Sequence, residues 1–194
     1  MSDEKEVRSA EDALAGAMDI IAESVSDNAD YRTKIRELTF KEGILRSTAK
    51  DAETRSVYEM YYDFSEPVAK MAGHRVLAVN RGENEKLLTV KIEAPEDKIL
   101  SYLERQIITR DNEYTASVLK DAVKDSYERL IAPSIEREIR NGLTETAEDG
   151  AIKVFGKNLE QLLLQPPVTG HVGRACITDV IGKLCYAMNL ITVG

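Results

Sequence analysis

Tryptophan is absent from the 194 residues, and cysteine and histidine occur only twice each. Cys176 and Cys185 lie in short apolar runs without the spacing of a zinc site or a CxxC redox pair, which excludes a disulfide scaffold and a zinc module. They read as buried free thiols, since unpaired cysteine behaves as a small hydrophobe. No apolar run approaches the roughly 20 residues that span a bilayer. The opening MSDEKEVRSAEDA is acidic and is no secretory signal, so no membrane is expected as a partner and the chain reads as cytoplasmic. A phosphate-cradling glycine loop, a nucleophile elbow and a metal-ligand cluster are also missing, so no catalytic residue, metal or cofactor is expected.

Charge of one sign is scarce in the other direction. The net charge is -8, and it is unevenly spread: Met1 to Glu66 carries 16 acids against 9 bases, and Pro67 to Gly194 carries 18 against 17. Affinity for a phosphate backbone comes from clustered Lys and Arg. A chain with this balance is expected to hold nucleic acid weakly or not at all by itself.

What the sequence has in quantity is helical periodicity. From Ser9 to Val25 the apolar residues Ala10, Ala13, Leu14, Ala17, Ile20, Ile21 and Val25 recur at three- and four-residue steps, and Ser9 with Asp12 forms a capping-box pattern. A turn at Ser26-Asp27-Asn28 leads to a second helix with Tyr31, Ile35 and Leu38 inward and Gly43 as its stop, placing the two side by side. The stretch ILRSTAK is compatible with a short strand. The aromatics Tyr58, Tyr61, Tyr62 and Phe64 read as core, with Tyr58 to Asp63 a short helical piece and Ser65-Glu66-Pro67 the start of another. His74 to Asn80 is predicted as a short helix, and Leu87 to Glu93 alternates as a strand.

Helices resume after Pro95, one lined by Ile99, Leu100, Leu103 and Ile107, the next by Val118, Leu119, Ala122, Val123, Tyr127, Leu130 and Ile131. Pro133 is expected to interrupt, with a restart at Ser134. From Ser134 to Gln165 the stripe Ile135, Ile139, Leu143, Ala147, Ala151, Val154, Phe155, Leu159, Leu162, Leu163 keeps helical spacing over 32 residues, a rod of about 48 Å. Gly142, Gly150 and Gly156 inside it read either as bends and close-packing points or as tolerated surface positions. Beyond Pro166-Pro167, ACITDV and LCYAMNLITV around Ile181-Gly182-Lys183 read as a β-hairpin. The fold class expected is mainly α: a multi-helix domain with one long C-terminal spine helix, a short strand and a terminal hairpin.

The segments YYDFSEPVAKMAGHRVLAVNRGENE, ERLIAPSIEREIRNGLTETAEDGAIKVFGKNLEQLLLQPPV and ITDVIGKL resemble the Tex family of bacterial transcription accessory proteins. The resemblance runs from about Ala10 to Val168, with the blocks HRVLAVNRGENE and AIKVFGKNLEQLLLQPP its most specific parts. It implies a protein several times longer, with helical regions, an RNase-H-like domain, helix-hairpin-helix elements and a C-terminal OB-type RNA-binding domain. On that comparison residues 1–166 correspond to the helical central region, and 167–194 to a truncated remnant of the RNase-H-like domain. The strand and acidic loop that follow the double proline in the family are missing here, which suggests a deletion or a broken reading frame. Asp179 alone cannot supply the converging carboxylates of two-metal phosphoryl chemistry, and beside a glycine it reads as a turn former.

His74, Arg75 and Arg81 lie in the most specific block. Positions 74, 78 and 81 share a helix face, so His74 and Arg81 together offer positive charge to nucleic acid or to an acidic partner. The competing reading has His74 capping its helix and Arg75 or Arg81 paired internally with Glu66, Glu83 or Glu85. The function expected is a non-catalytic scaffold segment of a Tex-like protein, with nucleic acid and the transcription machinery as partners of the longer architecture. The alternative is a helical protein-interaction module whose acidic first third meets a basic partner, such as a transcription-complex subunit. Uncovered apolar faces add self-association.

Overall fold

A computed structural model describes residues 9–165, apart from 52, 110, 111, 113 and 114. The expected hairpin, Asp179, His171 and both cysteines lie outside the described residues. The chain is mainly helical. Its elements are α1 (Ala10–Asp27), α2 (Ala29–Glu42), β1 (Ile44–Ala49), β2 (Asp63–Pro67), α3 (Gly73–Asn84), β3 (Leu88–Glu93), α4 (Glu96–Ile107), α5 (Ala116–Asp125) and α6 (Ala132–Leu163). The strands form one antiparallel sheet in the order β2-β1-β3. Contacts divide the chain into two compact units, one of residues 1–46, 65–70 and 91–140, the other of 47–64, 71–90 and 141–194.

In the first unit, α1 starts as its sequence dictates: the Asp12 amide donates to Ser9 Oγ at 3.0 Å, and the Ser9 amide to Asp12 Oδ2 at 2.9 Å. Asn28 ends α1 and caps α2, its Oδ1 accepting from the amides of Asp30 and Tyr31. α1 touches α2, but its broadest contact is with α5. There Ser126 Oγ donates to the Ala22 carbonyl at 2.7 Å, both residues buried. Ile35, Ile99, Leu103, Val123, Ile131 and Ile135 are fully buried in this unit. Arg32 and Arg36 of α2 both reach Glu138 of α6, at 2.9 and 2.6 Å, and Arg32 also donates to Ser134 Oγ. The two guanidinium groups hold the Glu138 carboxyl below its ordinary range, Arg36 contributing most.

Two expectations need correction. Ser65-Glu66-Pro67 begins no helix but ends β2, whose pairing with β1 is fixed by Ala49 donating to Tyr62 and Val68 to Gly43. That pairing is non-local and invisible to periodicity; Pro67 is tolerated because β2 is an edge strand. Pro133 does not interrupt. A π-helical turn, Ser126–Ile131, carries α5 into α6, and the Ala132 amide donates to Tyr127 five residues back. The proline has no amide to donate and its ring crowds the carbonyl four residues earlier; the widened turn ahead makes room for it. The long spine forms, over Ala132–Leu163 where Ser134 to Gln165 was expected. A Cβ at Gly142, Gly150 or Gly156 would meet no atom within 4 Å, so these glycines pack against nothing described.

The second unit has a smaller core of Tyr58, Val76, Val79, Leu88, Val90 and Ala147. α3 approaches α6 so closely that a Cβ on Gly73 would stand 3.2 Å from Ala147 Cα. Of the four aromatics, Tyr58 is buried, whereas Tyr61, Tyr62 and Phe64 are half-buried.

Candidate functional site

The block from His74 to Glu85 forms α3 and the turn behind it, and most of its distinctive residues have structural partners. Val76 and Val79 face inward. Asn80 Nδ2 donates to Thr144 Oγ1 of α6 at 2.8 Å. Gly82 lies against Leu88 and the Tyr58 ring, where a Cβ would stand 2.5 and 3.2 Å from the nearest atoms. Lys86, at φ 62, reverses the chain into β3, and the Leu87 amide closes the turn on the Gly82 carbonyl.

Glu85 is the electrostatic centre of this region. Its Oε1 accepts from Tyr58 Oη at 2.8 Å and from Arg81 Nε at 3.1 Å. Burial, and then the adjacent Glu85 carboxylate, push the Tyr58 phenol above its ordinary value, keeping it a proton donor to that carboxylate.

The structure places the three sequence-predicted residues on one helix in different circumstances. His74 is exposed in the first turn of α3; the N-cap is Ala72, which makes no side-chain capping bond, so the capping role expected of His74 is not met. Arg75 sits over the Phe64 ring, 6.0 Å from its centroid, and Phe64 meets Tyr61 edge to face at 5.3 Å. Arg81 pairs with Glu85, one of the three carboxylates expected for it, which offsets its charge.

The short helical piece expected at Tyr58 to Asp63 is a 3-10 turn, Glu59–Tyr61, in the connection from β1 to β2; sequence reasoning missed that this connection buries Tyr58 yet turns Val57 and Met60 to solvent. Its signal was the absence of a helical stripe that could place all of VYEM inside. Among the described residues no group of three or more His, Cys, Asp and Glu is arranged to hold a metal ion, and no helix is long and apolar enough to cross a membrane.

The Tex central region-like family matches residues 1–155. The chain is 50% identical over 173 residues to the uncharacterized protein YdcI of Bacillus subtilis (strain 168), covering 88% of this chain and 24% of that protein. It is 33% identical over 163 residues to the transcriptional accessory protein Tex of Neisseria gonorrhoeae, covering 80% and 21%. It is 31% identical over 183 residues to S1 RNA-binding domain-containing protein 1 of Homo sapiens, covering 87% and 18%. This chain therefore spans less than a quarter of the length of each of these relatives. With four-fifths of its residues inside the family match, the chain belongs to the Tex family, whose central region it carries.

Proposed function

We propose that this chain is a non-catalytic scaffold segment of a Tex-like transcription accessory protein, which holds neighbouring parts in place and leaves nucleic-acid binding chiefly to them. The observation that carries the reading is the changing environment of α6. Its stripe is buried at Ile135, Ile139 and Ala147 with Leu143 half-buried between them, then no more than half-buried at Ala151, Phe155, Leu159 and Leu162; Val154 and Leu163, expected in the stripe, are exposed, as is Ile152. A continuous helix whose apolar residues are better covered in its first half than in its second suits a spine to which further elements attach.

In the same reading residues 1–166 act as the helical central region, 167–194 are a truncated remnant of an RNase-H-like domain, and the location is cytoplasmic. His74, Arg75 and Arg81 are its contact residues toward nucleic acid or partner. The names of two relatives, a transcriptional accessory protein and an S1 RNA-binding domain-containing protein, support a nucleic-acid context for the longer architecture.

The test is titration of the purified chain with single-stranded RNA and duplex DNA at low and physiological salt, followed by incubation with magnesium or manganese. The expected result is no binding at physiological salt and no cleavage. Salt-steep micromolar binding would place the nucleic-acid surface in this chain, and metal-dependent cleavage would overturn the non-catalytic reading.

A further inference from the structure

The two most exposed large apolar side chains among the described residues are Val57, at 85%, and Met60, at 82%. Both belong to the connection between β1 and β2. An isolated exposed apolar residue is ordinary. Two of them three positions apart, on a loop locked in one shape, are not.

The locking is extensive. Asp51 accepts from the Glu53 amide at 3.0 Å and from Thr54 Oγ1 at 2.7 Å. Tyr62 Oη donates to the Thr54 carbonyl and shares a hydrogen bond of 2.8 Å with the Ser56 hydroxyl, whose oxygen also accepts from the Tyr58 amide. Tyr58 itself is buried and tied to Glu85, so the residue between the two exposed side chains and their neighbours is the anchor of the loop. A segment held in this way presents Val57 and Met60 on a backbone that needs little further ordering when a partner covers them, leaving chiefly the side-chain rotamers to be fixed.

The border of the pair is acidic. Between positions 51 and 63 the chain carries Asp51, Glu53, Glu59 and Asp63 against the single base Arg55, and all five are exposed. Such a rim repels phosphate backbones and anionic membranes and favours basic protein surfaces. Methionine adapts to irregular apolar pockets, which suits the tip of a docking element.

We propose that the loop of residues 53–62 is a preformed protein-docking knob, in which Val57 and Met60 enter an apolar pocket on a partner protein and the surrounding carboxylates face Lys and Arg at that pocket's edge. This surface is independent of the scaffold reading: the chain could prove to bind RNA while the knob still docks, or bind none while the knob stays bare.

The experiment places the photoreactive residue p-benzoylphenylalanine at Arg55 in the full chain, irradiates it in the cell that makes the protein, and maps the crosslinked peptide. The expected product is one protein, joined at apolar residues that have Lys or Arg beside them. Its yield should fall by about tenfold or more in the pair Val57→Ser with Met60→Ser and in the pair Glu53→Lys with Glu59→Lys. All four residues are exposed, and unchanged thermal melting of each pair separates lost docking from lost folding. Crosslinks that survive both pairs, that land on nucleic acid, on another copy of the chain or on its own residues, or that fail to form would overturn the proposal.

Discussion

The two halves of α6 share one repeat and differ in everything around it. Ile135, Ile139 and Ala147 are buried and Leu143 between them is half-buried, whereas Ala151, Phe155, Leu159 and Leu162, four positions on at nearly every step, are all only half covered. Periodicity therefore specifies the helix in both halves but burial in only one. The covered half is fixed by side-chain detail: fully buried Ile135 packs in the helical core, and Glu138 is clamped by Arg32 and Arg36. The open half has ordinary helix-forming chemistry and exposed leucines at its end.

The sharpest way to break this contrast is truncation of one large side chain in each half. Ile135→Ala should lower stability to urea by about 2–5 kcal/mol, the usual cost of emptying a close-packed site. Leu159→Ala, at a half-covered position, should cost less than about 1 kcal/mol. Equal costs would mean the two halves are equally covered.

Glycine substitutions sharpen the same contrast by sign. Gly82→Ala forces a methyl group against Leu88 and Tyr58 and should destabilise by about 1–3 kcal/mol in thermal or urea unfolding. Gly156→Ala, in the open half of α6 with nothing within 4 Å, should stabilise by up to about 1 kcal/mol through helix propensity alone.

The smallest effect is electrostatic. Glu138→Gln should cost about 0.2–1 kcal/mol at neutral pH, a modest figure because the carboxylate and Arg36 are more than a third exposed and solvent screens them. The carboxyl lies below its ordinary value of 4.5 in the folded chain, so its contribution is present above that value and is lost as pH falls through the lower folded one. The difference between wild type and Glu138→Gln should therefore shrink on acidification, measured as urea midpoints from pH 7 down to pH 3.

How far the sequence could be read follows from the range of the interactions. The Ser9–Asp12 capping box, the Gly43 stop and the full length of the spine are local, and local spacing revealed them. β2 was not legible, because Asp63–Pro67 becomes a strand only through pairing with β1, across a connection too long for a tight hairpin turn to mark. The continuity across Pro133 depended on a π-helical turn that no propensity marks. At the candidate site, Glu85 was one of three carboxylates the sequence offered to Arg81; the choice among them required α3 to run past the expected end at Asn80 to Asn84, which puts Glu85 one turn on from Arg81. The bond from Tyr58 to Glu85 and the outward turn of Val57 and Met60 required the folded loop.

The central claim is that α6 is one continuous helix, anchored along its first half and open along its second. Amide hydrogen exchange along the helix tests it most directly. The account predicts that amides from Ile135 to Ala147 exchange only with global unfolding, and that those from Ile152 to Leu163 exchange through much cheaper local opening. Uniform protection along the whole helix, or a sharp loss of protection beginning before Ala147, would contradict it.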